Sequence, residues 1–187
     1  MEFWAMQFLD AYVSYFRWQA MKHPDLLHSP DVGDRIFEVI SIEEAMGDFR
    51  SSVTEKGFLM RLIVPTYSLG DSYSANGLKK AQGGFIISKY HSNRAADNAG
   101  FIAACTDSER VGFEIIEKMV GDSKNGHPLF NHSINTLDHL NLDVQPKHDE
   151  AEGGYYGWLF MFEFSSFFRN CPDATAWIDG GQTPFNQ

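Results

Sequence analysis

The chain has 187 residues, 43% hydrophobic and 21% charged, which excludes a disordered polypeptide and lets it bury a core without disulfides or metal. Its 25 acids outweigh its 15 bases for a formal net charge of −10, and Lys79-Lys80 is the only adjacent pair of bases, so a footprint for phosphate backbones or anionic lipid is excluded. Two distant cysteines, Cys105 and Cys171, argue against a disulfide framework and for a reducing compartment such as the cytoplasm. The opening Met1-Glu2 lacks a basic segment and its apolar run is broken by Gln7, Asp10, Ser14 and Arg17, the pattern of neither a signal peptide nor a membrane span.

Residues 2–22 read as a helix. Gln7, Asp10, Ser14 and Arg17 fall in one narrow polar sector, and the aromatic remainder spreads over an arc wider than one core contact needs, so two surfaces should be touched. His23-Pro24 ends it, because the residue before proline is pushed out of the α region. A short strand at 35–41 and a short helix at 42–49 follow, the latter from apolar residues at 42, 45, 46 and 49. Residues 57–64 and 84–90 read as antiparallel partner strands covered on both faces. The polar, glycine-containing stretch between them, residues 65–83, reads as a long loop of the kind that carries function.

Thr106-x-x-Glu109 has the form of a capping box ahead of an amphipathic helix that buries Val111, Ile115, Ile116 and Met119 and ends at Gly121, although a start near Asp97 is also compatible. Leu140, Leu142 and Val144 alternate with polar residues in a strand at 137–147 with one wet face. Beyond an acidic turn, residues 155–164 are apolar at both parities and read as a central strand hairpinned to the one before. The expectation is one α+β domain over 1–187: a mostly antiparallel sheet of about five strands flanked by an N-terminal aromatic helix and a second amphipathic helix. Residues 1–168 form the core and 169–187 an irregular tail.

No pattern of reactive residues points to catalysis. The seven histidines include no HExxH or i, i+4 pair to present two imidazoles to one ion, so neither a metal nor a cofactor site is read. The acidic group around Asp143, His148, Asp149, Glu150 and Glu152 reads as a charged hairpin turn. Gly70 to Lys80 lacks the spacing of a phosphate-binding loop, and there is no G-x-S-x-G elbow or activated cysteine. Arg61 and Glu163, each the odd charge in an apolar strand, are expected to pair across the sheet. More than half of the aromatic residues fall in 3–18 and 155–168. The surplus on the first segment makes Phe3, Trp4, Phe8, Tyr12, Tyr15 and Trp18 a proposed self-association surface.

The region from Phe37 to Phe49 leading into residues 58–65, the run Gly83-Gly84-Phe85-Ile86-Ile87 after a polar loop, and Gly157-Trp158-x-Phe160-x-Phe162 late in the chain give a layout that resembles phage tail-terminator and tail-completion proteins. It is also similar to prophage proteins in which an aromatic final strand precedes a Cys and a Trp, as Cys171 and Trp177 do here. The resemblance spans roughly residues 2–177 and implies a non-enzymatic structural role. The subunit would form a ring with copies of itself, contact tail tube or neck proteins, and do so without nucleic acid or membrane, assembling in the cytoplasm and residing in the virion. The contact loop would be 65–83, with Tyr67, Asp71, Tyr73, Lys79 and Lys80. Two other classes stay open: a small-ligand binder or enzyme with a pocket converging Tyr67, Tyr73, His139 and Asp143, and an adaptor that binds one partner through the N-terminal helix.

Overall fold

The computed structural model describes residues 8–29, 36–46, 57–69, 76–92, 96–125, 129–130, 136–149 and 154–169. The elements in chain order are α1 (Phe8–Lys22), β1 (Phe37–Ile40), α2 (Ile42–Met46), β2 (Phe58–Leu69), β3 (Asn76–Tyr90), α3 (Asn98–Lys124), β4 (Thr136–Asp149) and β5 (Tyr155–Arg169). They build an α+β fold on one five-stranded sheet of order β1-β2-β3-β5-β4. Only the β1–β2 pair is parallel; β2–β3, β3–β5 and β5–β4 are antiparallel. Among the described residues no helix is long and apolar enough to cross a membrane.

Strand alternation divides the apolar residues between the two faces. Met60, Leu62, Phe85, Ile87, Phe160 and Phe162 point to the face that carries α1 and α3, where Tyr12, Phe16, Val111, Ile115 and Met119 complete the main core. Ile63, Ile86, Leu159 and Met161 point the other way and form a second cluster with Ile40 of β1 and with Ile42 and Ala45 of α2. Both parities of β2, β3 and β5 are therefore apolar because both faces are covered. On β4, Leu142 and Val144 are half buried against the main core while Asn141, Asp143 and Gln145 are exposed.

The stretch 65–83 corrects the sequence reading: most of it is strand. β2 continues to Leu69 and β3 begins at Asn76, leaving 70–75 outside the described residues. The punctuation that looked like loop, Pro65 and Gly83-Gly84, is absorbed in a β-bulge, where Val64 and Pro65 together face Gly83 between the Ile63–Gly84 and Thr66–Gln82 pairs. Tyr12 of α1 fills this break. Its hydroxyl accepts from the Gly84 N–H at 3.1 Å and lies 3.3 Å from the carbonyl oxygens of both Ile63 and Gly84. A Cβ on Gly83 would stand 2.7 Å from that hydroxyl, so glycine is required for the close approach.

α3 runs earlier and longer than the Thr106 capping box implies. Its N-cap is Asp97, whose Oδ1 accepts from the Gly100 N–H at 2.9 Å, and it passes through Gly121 to Lys124. Thr106 thus lies inside a continuous helix. It lies close on the sheet because Gly112 faces the Phe160 ring, which any Cβ there would overlap. Two polar contacts fix its register: the Ser108 hydroxyl lies 3.2 Å from the Tyr156 carbonyl, and Trp158 Nε1 donates to the Cys105 carbonyl at 3.0 Å. At the other end of β5, the strand extends through Arg169, past the expected start of the tail.

Removing the Tyr12 hydroxyl should leave buried backbone groups of the bulge unsatisfied. Tyr12→Phe is expected to destabilise by about 1–3 kcal/mol in urea unfolding and to speed hydrogen exchange at the Gly84 amide more than at Ile87. An unchanged Gly84 exchange rate would remove the hydroxyl's role.

Candidate functional site

The largest gathering of ionisable groups in the described residues lies where α1 exits against α3. The two helices run antiparallel along a seam of side-chain contacts: Tyr15 with Asp122, Trp18 with Lys118, His23 with Glu114, and Asp25 with Arg110. The Asp25 N–H donates to His23 Nδ1 at 3.2 Å, which leaves the ring proton on Nε2, where it meets Glu114 Oε2 at 2.8 Å. Arg110 closes the cluster, donating at 2.8 Å to Glu114 Oε1 and at 2.8 Å to Asp25 Oδ2. The Arg110 guanidinium holds both the Asp25 and Glu114 carboxyls below the usual carboxylate range, and these two hydrogen bonds push the guanidinium above its own ordinary value.

His23, Asp25 and Glu114 bring ligand atoms within 4.8 Å of one another, the spacing of a possible cation site. The surrounding hydrogen bonds oppose that use. Arg110 already supplies the positive charge to one oxygen of each carboxylate, and a metal on Nε2 would force the ring proton onto Nδ1, against the Asp25 N–H. The arrangement is a clasp between two helices. Higher on the seam, Gln19 Nε2 donates to the Tyr15 hydroxyl at 2.8 Å and that hydroxyl donates to Asp122 Oδ2 at 2.9 Å, while Lys118 pairs with the other Asp122 oxygen. Burial, with the Asp122 carboxylate beside it, pushes the Tyr15 hydroxyl well above the ordinary phenol value.

These contacts take Tyr12 and Tyr15 out of the proposed interface. Tyr12 and Tyr15 are 0% and 4% exposed, enclosed by the chain's own sheet and α3. At Tyr12 and Tyr15 the apolar arc of α1 meets two surfaces of the same chain, the sheet and α3. Trp18 is 43% exposed, with Lys118 over its ring at 5.5 Å. Phe3 and Trp4 lie outside the described residues, and Phe8 is the first residue of α1.

The expected Arg61–Glu163 pair is also corrected. Arg61 aligns with Ile86 and, through it, Leu159, whereas Glu163 aligns with Gln82, four positions further along β3 and roughly 13 Å away. Arg61, 3% exposed, instead meets Glu38, its direct neighbour on parallel β1, at 3.5 Å. Glu163 accepts from Asn141 Nδ2 at 3.2 Å. The principle that a buried charge needs a partner held; the partner was set by strand order.

Of the contact-loop residues, Tyr67 lies exposed on β2, Lys79 and Lys80 belong to β3, opposite Leu69 and Ser68, and Asp71 and Tyr73 fall outside the described residues. The alternative pocket does not assemble from its described members. Tyr67 pairs with Ala81 on the face of the main core, and Asp143 pairs with Met161 on the opposite face. His139 lies on β4, and Tyr73 falls outside the described residues.

No family model matches the chain, and no curated protein matches it.

The Asp25 and Glu114 carboxyls are held low in the folded chain, so what they contribute is present above the ordinary carboxylate values and is lost as pH falls through the folded ones. The difference in melting temperature between wild type and Arg110→Gln should therefore be constant from about pH 5 to 7 and narrow below about pH 4. A difference that stays constant on acidification would show that Arg110 acts through packing alone.

Proposed function

We propose that the protein is a non-enzymatic assembly subunit of the phage tail-completion or tail-terminator kind, acting through contacts with copies of itself and with tail tube or neck proteins. The observation that carries this reading is how the chemistry of the described residues is distributed. The ionised groups brought together there pair with one another: Asp25, just past α1, with Arg110 of α3, which also holds Glu114, Lys89 of β3 with Asp107 of α3 at 2.5 Å, and Arg61 of β2 with Glu38 of β1, while Lys118 and Asp122 pair along α3. Large apolar side chains are meanwhile displayed to solvent, among them Trp18, Met21, Leu27, Met46 and Ile102. A chain whose polar groups serve its architecture and whose surface offers apolar contacts is suited to binding other proteins.

The phage context rests on the layout of the sequence, and the sheet adds an element that suits it. The distal parts of β2, β3, β5 and β4 remain paired from Thr66–Gln82 outward to Asn76–Arg169 and Thr136–Ser165, so the stretch first assigned as a contact loop is carried on an ordered four-stranded extension. Assembly in the cytoplasm and residence in the virion belong to the same proposal.

Light scattering across a concentration series tests it. The expected result is a mass that rises to a discrete multimer with a central opening on imaging, or a monomer converted to that ring by added tail tube. A chain that stays monomeric in both settings would overturn the reading.

A further inference from the structure

We draw no further inference here: the strongest candidate, the apolar strip where the exposed Phe113 of α3 meets Phe160 beside the half-buried Val144 of edge strand β4, carries nothing because nothing in the structure shows what covers it.

Discussion

The hydroxyl of Tyr12 occupies the point where an extra residue in β2 breaks its ladder with β3, and it bonds to backbone groups there that the ladder leaves over. A buried N–H or carbonyl without a partner costs about as much as a typical point mutation, so the bulge and α1 stabilise one another. Once Tyr12 is fixed, Phe16, one turn on, stacks against Phe162 and tilts against Phe85, and Tyr15 turns toward α3. Burial leaves the Tyr12 phenol well above its ordinary ionisation range.

α3 is held to the sheet by a different device. Gly112 admits the Phe160 ring, and the flanking Ser108 and Trp158 contacts tie helix and strand on either side of that approach. The seam with α1 then gathers Asp25, Arg110, Glu114, Lys118 and Asp122. This explains how a chain with a large excess of acid can gather so many charged residues in one place: most are neutralised locally, by Arg110 and Lys118, and contribute little to the field outside. A cluster assembled in this way positions the end of α1 against α3.

Open edges bear on assembly too. β4 is an edge strand, but it carries Pro146, the charged Asp143 and Lys147, and an irregularity between Asp138 and Asp143, all features that discourage another strand from pairing with it. At the opposite edge β1 is only four residues long. Under the proposed assembly, contacts between copies would therefore use side chains rather than continuation of the sheet.

Local pattern determined much of this protein. The spacing of apolar residues placed α1, α2, β1, α3 and β4; apolar residues at both parities marked β5 as central; and the alternation of Leu142 and Val144 with Asn141 and Asp143 marked one wet face on β4. These features were legible because each depends on neighbours a few residues apart. Tertiary structure decided what depends on distant partners. Pro65 and Gly83 read as loop residues until Tyr12, far away in the sequence, supplied the bonds that let the strands continue past them. Arg61 needed a carboxylate, but strand order chose Glu38 over Glu163. Tyr12 and Tyr15 looked like surplus for a second subunit because the sequence shows how wide an apolar arc is and not which elements cover it. Leu27 carried no signal at all, since its left-handed backbone belongs to the turn that the His28 N–H closes on the Ala20 carbonyl, and nothing in a leucine announces it.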